Sequence, residues 1–262
     1  MVTPDPIVLP DVIRDLPPGS RTVFLHAHPD DETLATGVLL AWLADRGDEV
    51  AVVTATRGEQ GDVVPGPVAE LAGTPELVEH RLGELAGALA VLGVRHRALL
   101  GTPPARAAGR EPRRYTDSGM RWLDAAETLA GPGDQAGPDS LTAAPVDEAA
   151  ADLAAYLEAF GADVLVGYDE HGGYGHPDHV ACAHIAAAAA RLAGVPLLQV
   201  VSEPLLPVPG ARRFDLPGYL PRVQEALRHH ASQLTVDGAD VVHVGGQRQP
   251  IVTTVWLAAP PQ

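Results

Sequence analysis

Cysteine is almost missing from this chain. Cys182 is the only one in 262 residues, so no intrachain disulfide can form and a reducing compartment is expected. Positive charge is scarce as well: 18 Lys and Arg residues stand against 34 Asp and Glu, for a net charge of −16. Nucleic acid and anionic membranes both draw basic surfaces, so neither is an expected partner. A neutral substrate such as a sugar is not excluded. Long apolar runs are also wanting. Ile185 to Ala190 is cut by Arg191 and is too short to cross a bilayer. The start, Met1-Val2-Thr3-Pro4-Asp5-Pro6, has neither the basic nor the apolar region of a secretion signal. A cytoplasmic enzyme is the expectation these absences set.

What the chain does have is concentrated in two polar clusters. The first, His26-Ala27-His28-Pro29-Asp30-Asp31-Glu32, follows the β-forming run Thr22-Val23-Phe24-Leu25. The second, Asp169-Glu170-His171-Gly172-Gly173-Tyr174-Gly175-His176-Pro177-Asp178-His179, follows Asp163-Val164-Leu165-Val166-Gly167-Tyr168. Each reads as a strand whose C-terminal end carries imidazoles and carboxylates, and that end of an open α/β sheet is where ligands bind.

Between and beyond these clusters, strand and helix patterns alternate. Helices are predicted from Thr36 to Arg46, from Thr74-Pro75-Glu76 to Gly93, over Asp147–Phe160, over His179–Ala193 and over Tyr219–Ala231. Strands are predicted at Val50–Thr54, Val195–Val201, Val241–Val244 and Ile251–Leu257. The alternation predicts an α/β fold, a Rossmann-like and mostly parallel sheet flanked by helices. A small C-terminal αβ portion follows. A long Pro-, Gly- and Ala-rich insertion from about Thr102 to Pro145 interrupts the pattern. It is expected to be ordered at Asp117–Met120 and looser around Gly131–Ala144. The group Arg106, Arg110, Arg113 and Arg114 reads as a solvated face. With no internal repeat and no composition break, residues 1–262 read as a single domain.

In a parallel sheet the two clusters share one edge. His28, Asp31 and His179 then form a three-ligand set of the kind that holds a catalytic zinc ion with one position open. Iron(II) would accept the same ligands. Asp30 stands beside them as a base, and His176, one helical turn before His179, as an oxyanion stabiliser or acid. Glu32 reads as an acid of a first helical turn. His26, His171 and His184 read as packing or solvated residues, and Cys182 as a small buried hydrophobe.

Together, Ala27-His28-Pro29-Asp30-Asp31-Glu32 and His176-Pro177-Asp178-His179 resemble the LmbE/PIG-L family of zinc-dependent N-acetylglucosaminyl deacetylases. Further stretches are similar to its mycothiol-pathway branch: Thr56-Arg57-Gly58-Glu59, His80-Arg81-Leu82-Gly83-Glu84-Leu85, Asp117-Ser118-Gly119-Met120 and Ala226-Leu227-Arg228-His229-His230-Ala231-Ser232-Gln233. The resemblance implies His28, Asp31 and His179 as zinc ligands, Asp30 as general base and His176 as the electrostatic or acid group. It implies Tyr174 as a mobile donor to the oxyanion, and Asp178 as a residue orienting the catalytic histidine. Arg81 and Asp117 match positions that hold sugar or inositol hydroxyls. The implied partner is a small N-acetylated aminosugar glycoside, most directly N-acetylglucosaminyl-inositol. The chain is shorter than that branch leads one to expect, and the tract between Met120 and Asp147 differs from it. A mycothiol S-conjugate amidase, a deacetylase tailoring a glycosylated natural product and a non-catalytic metal- or sugar-binding protein are the competing readings. Thr33-Leu34-Ala35-Thr36-Gly37 lacks the lysine expected of the amidase. Nothing in the sequence decides for or against a homo-oligomer.

Overall fold

The computed structural model describes residues 16–124, 126, 129–202 and 210–261. Five helices lie among them: α1 (Asp31–Arg46), α2 (Pro75–Leu92), α3 (Val146–Phe160), α4 (Pro177–Ala193) and α5 (Leu220–His229). The main sheet contains β1 (Arg21–His26), β2 (Glu49–Thr54), β3 (His96–Leu99), β6 (Val164–Tyr168), β7 (Leu197–Val200), β8 (Arg212–Asp215) and β12 (Thr254–Ala258). Two small antiparallel units complete it, a β4–β5 pair (Arg121–Trp122, Ala130–Gly131) and a sheet of β9 (Leu234–Asp237), β10 (Asp240–His243) and β11 (Arg248–Pro250).

Strand order in the main sheet is β3-β2-β1-β6-β7-β12-β8. The first five run parallel, and β12 pairs antiparallel with both β7 and β8. The order reverses between β1 and β6, which lie side by side with Thr22 opposite Val164 and Phe24 opposite Val166. That reversal opens a crevice at the strands' C-terminal ends, and both polar clusters arrive there.

The alternation of β1 builds two cores. Val23 and Leu25 pack with Leu153 and Leu157 of α3 and Ile185 of α4, while Phe24 packs with Leu39 of α1, Leu89 of α2 and Val223 of α5. Buried Cys182 joins the first core. His26 is buried with Nε2 3.0 Å from Thr36 Oγ1, and His171 and His184 are exposed, as expected.

Several boundaries differ from the sequence reading. Helix α1 begins at Asp31, not Thr36, because the acidic residues Asp31 and Glu32 form its first turn, where carboxylates are stabilised by the helix dipole. Helix α4 begins at Pro177, one turn-opening residue after His176, whose ring caps it. Strands β3, β8, β9 and β11 escape prediction because they are short and largely exposed, so pairing rather than apolar patterning defines them.

The insertion corrects two expectations. Gly131–Ala144 is tied down: Gly133 N–H donates to Ser118 O at 2.9 Å, Leu141 N–H to Thr116 O at 2.9 Å, and Thr142 N–H to Ser118 Oγ at 3.1 Å. Within the arginine group, Arg110 and Arg114 are exposed as expected, whereas Arg106 and Arg113 are drawn in by carboxylates. Arg106 donates to Asp152 at 2.7 Å and Glu148 at 3.0 Å, Arg113 to Glu148 at 2.6 Å, and Arg114 to Glu59 at 2.8 Å. Asp152 is fully buried and also accepts from Tyr115 Oη at 2.8 Å and Ala107 N–H at 2.9 Å. Removing one partner of a buried pair leaves the other uncompensated. Asp152→Ala is therefore expected to cost about 3–5 kcal/mol in urea unfolding, whereas Arg114→Ala, at a half-exposed pair, costs under about 1 kcal/mol.

Candidate metal centre and active site

The site begins where β1 runs out. Asp30 caps α1 with φ +117° and ψ −32°, and among the described residues it alone, glycines aside, has a positive φ. Such a backbone costs about 1–3 kcal/mol and survives only where neighbours hold it. The turn presents His28, Asp30 and Asp31 to one cleft of about 840 Å³, which Asp117, Tyr174, His176 and His179 also line.

Asp31 is the junction. Its Oδ2 accepts from His28 N–H and from Tyr168 Oη, each at 2.9 Å, and lies 3.2 Å from His28 Nδ1 and 3.2 Å from His179 Nε2. Those two spacings match the roughly 3.3 Å edge of a tetrahedron with 2.0–2.1 Å metal–ligand bonds. Tyr168 at the end of β6 steadies the arrangement, since its oxygen also accepts from Ala27 N–H at 3.1 Å and its ring stacks on His179 at 4.4 Å. Sequence reasoning passed over Tyr168; its position as the last residue of a strand feeding the second cluster was the available signal.

Ring-nitrogen accounting shows which atoms can take a cation. His179 Nδ1 lies 3.1 Å from Gly172 O, so its proton sits there and the lone pair of Nε2 is left bare. Nε2 is buried with no hydrogen-bond partner. The carbonyl comes this close because residue 172 has no side chain: a Cβ there would lie 2.7 Å from Val180 N. His28 Nε2 faces Asp178 Oδ2 at 3.2 Å and Asp117 Oδ1 at 3.6 Å, which leaves Nδ1 toward Asp31. A carboxylate behind a ligating imidazole fixes its tautomer and raises its basicity. Two triads that leave Asp31 out, His28–His176–His179 and His28–Asp117–Asp178, bring ligand atoms within 4.8 Å of one another. Both are partly engaged: His176 Nδ1 accepts from Asp178 N–H at 3.2 Å, Asp178 Oδ2 from Ser118 N–H at 2.8 Å and Asp117 Oδ1 from Gly119 N–H at 2.7 Å, while Asp178 Oδ1 is buried without a hydrogen-bond partner. His28, Asp31 and His179 are donors of the types a zinc-like ion takes, with the Nε2 lone pair of His179 unpartnered.

Electrostatics agrees with a site built around positive charge. Burial alone would lower the His28 pKa, but Asp117, with Asp178 and Asp31, holds it well above the ordinary value. Burial and then Asp31 push Asp30 up to about 8, and a cation in the cleft would draw it back down. Burial, reinforced by His28 and His179, brings His176 down to about 4. His176 is thus neutral at pH 7, with Nδ1 accepting and Nε2 carrying the proton.

The remaining expected residues fall in different places. Tyr174 stands at the rim, 64% exposed between Gly173 and Gly175, with its ring edge-on to His179 at 5.2 Å. Asp178 sends its carboxylate to His28, not His176; only its backbone N–H meets His176. Asp117 lines the cleft and accepts from Gln60 N–H at 3.1 Å. Arg81 also lines it but is 1% exposed, with its guanidinium donating to the carbonyls of Gly58, Gly61 (3.0 Å) and Asp62 (2.8 Å). It closes the 58–62 loop as well as facing the cleft. The opposite wall, with Gln233, His243, Gln247 and Trp256, carried no signal in the sequence beyond Gln233.

Metal analysis checks the ligand set. About one zinc per chain is expected in the parent and in Asp30→Ala, and loss of zinc in Asp31→Ala and His179→Ala. Asp178→Ala, which frees His28 Nε2, is expected to weaken zinc affinity about 10–100-fold.

Comparison with known proteins follows the same line. The family described as GlcNAc-PI de-N-acetylase, PIG-L, matches over residues 23–190. The 1D-myo-inositol 2-acetamido-2-deoxy-alpha-D-glucopyranoside deacetylase of Nocardiopsis dassonvillei is 36% identical over 258 residues, covering 82% of this chain and 85% of that protein. The protein of the same name from Kineococcus radiotolerans is 42% identical over 182 residues, covering 65% of this chain and 47% of that relative; the chain thus spans about half the length of the latter. The solved structure of the zinc inhibited form of a teicoplanin deacetylase superposes with a TM-score of 0.55 at 23% identity, covering 82% of this chain and 85% of that one. At that identity the likeness speaks for the fold. By the extent of the family match and the identity to its curated relatives, the chain belongs to the PIG-L/LmbE family.

Proposed function

We propose that this protein is a metal-dependent deacetylase that hydrolyses the N-acetyl group of an N-acetylglucosaminyl glycoside, with inositol as the aglycone. The observation that carries the reading is Asp31 Oδ2 set 3.2 Å from two imidazole nitrogens, one of them the buried and unpartnered Nε2 of His179. Its substrate rests on the names of relatives that this chain resembles over most of its length. Zinc is the proposed ion, with iron(II) an alternative the same donors accept.

His28, Asp31 and His179 would hold a divalent ion, which would supply Lewis acidity toward the water and the amide carbonyl. Asp30 takes the proton of the attacking water as its oxygen bonds to the carbonyl carbon. His176 offers its Nε2–H to the negative oxygen that develops, and Tyr174 swings from the rim to offer its hydroxyl. The C–N bond then breaks, the nitrogen receives the proton that Asp30 took from the water, and amine and acetate leave. Arg81 and Asp117 flank the sugar on the cleft wall. The chain acts as one domain in the cytoplasm; among the described residues no helix is long and apolar enough to cross a membrane.

Amine release from N-acetylglucosaminyl-inositol, with plain N-acetylglucosamine alongside, tests the reading. Strong preference for the conjugate is expected. Equal release from both would overturn the inositol assignment, and none from either by zinc-loaded protein would overturn the deacetylase reading. Asp30→Ala is expected to lower kcat by about 10²–10⁴-fold with zinc retained.

A further inference from the structure

The strained backbone of Asp30 needs a holder, and the residues that hold it come from the other end of the chain. Asp30 N–H donates to Glu32 Oε2 at 3.0 Å, so the second residue of α1 reaches back over the helix start to satisfy a donor the helix leaves bare. Glu32 is itself fixed. Its Oε1 lies 3.0 Å from His230 Nε2 and accepts from Thr33 Oγ1, and both Glu32 and His230 are completely buried. The peptide before Asp30 is held from the same direction, as Gln233 Nε2 donates to Pro29 O at 2.7 Å. Behind them Ser232 is pinned to Glu84 of α2 through its N–H at 2.7 Å and its hydroxyl at 2.6 Å. The carbonyl of Asp30 opens α1, accepting from Thr33 N–H at 3.0 Å and Leu34 N–H at 2.9 Å.

We infer that residues 230–233, immediately after α5, are a strap that positions the general base. The Glu32–His230 pair is its working contact, and Glu32 and His230 are positioning residues acting through Asp30. Neither residue belongs to the set lining the cleft, so neither touches substrate. The buried imidazole has no other task visible in its contacts: its Nε2 meets only Glu32 and Thr33, and its Nδ1 stands 3.5 Å from the Gln233 amide. Without His230, the Glu32 carboxylate loses its partner. Asp30 is then free to relax toward negative φ, carrying its carboxylate away from the attacking water. A misplacement of about 1 Å in such a group can cost about 10²-fold in rate. This inference rests on the deacetylase reading, in which Asp30 is the base.

The test is a kinetic and structural comparison of zinc-loaded parent, His230→Ala and the isosteric Glu32→Gln. For His230→Ala, kcat is expected to fall about 10²-fold, with KM within about twofold and zinc content unchanged. Glu32→Gln should fall about tenfold, since one amide oxygen can serve only one of two partners. In a crystal structure of His230→Ala, the φ of Asp30 should leave the positive region. Adding His230→Ala to Asp30→Ala should cost no further kcat, because a positioning residue has nothing left to position. Should His230→Ala fail to fold, Glu32→Gln decides. Parent-like kcat in either folded variant would overturn the strap. So would a loss appearing only in KM, or one that merely tracks lost zinc. Absence of turnover in the parent would instead overturn the deacetylase reading beneath it.

Discussion

Everything in this molecule turns on one carboxylate oxygen. Asp31 Oδ2 receives a backbone N–H and a tyrosine hydroxyl and faces two imidazole nitrogens. Those four partners come from two segments more than a hundred residues apart in the chain, and only the sheet brings them together. Strands β1 and β6 are neighbours at the point where strand order reverses, so the turn after one and the turn after the other open into the same crevice. The parallel sheet is thus the scaffold that converges two sets of donors, and its two apolar cores keep the convergence rigid.

Concentrating that much charge has a cost that the surroundings meet locally. Asp178 and Asp117, each held by backbone N–H groups, flank His28 on the side away from Asp31. Gly172 lends its carbonyl to His179 from the opposite side. The strained Asp30 is held by Glu32 and by the segment that follows α5. The insertion plays a similar part at longer range. The Arg106–Asp152 contact docks it on α3, and the Ser118 N–H then reaches Asp178. The Glu32, Gly119 and Gly172 contacts are local, but those of Asp178 with His28, of Ser118 with Asp178 and of Gln233 with Pro29 join residues far apart in the chain, so tertiary structure as well as the motifs maintains the centre.

That division explains what could be read from the amino-acid sequence. That His28, Asp31 and His179 meet in one cleft was legible because short local patterns carry them: a β-forming run that ends in a polar cluster is a strand-end signal wherever it occurs. The parallel core of the fold was legible for the same reason. Glu32 was not, because its meaning depends on His230, 198 residues away; alone it is one more acid in a first helical turn. Arg81 is read from the resemblance as a sugar contact, but nothing near it in sequence shows that the 58–62 loop folds over its guanidinium and buries it. Arg106 looks solvated until α3 supplies Asp152, 46 residues on. The strands β8, β9 and β11 have little apolar periodicity, since backbone pairing defines them and solvent meets much of their surface.

The central claim is that two strand ends assemble one metal centre from His28, Asp31 and His179. Anomalous diffraction at the zinc edge from crystals of zinc-loaded protein addresses it most directly. A single strong peak is expected about 2.0–2.1 Å from His28 Nδ1, His179 Nε2 and an Asp31 oxygen, with His176 left outside the coordination sphere. A peak bound by His176, or one lying between Asp117 and Asp178 with Asp31 unligated, would contradict it.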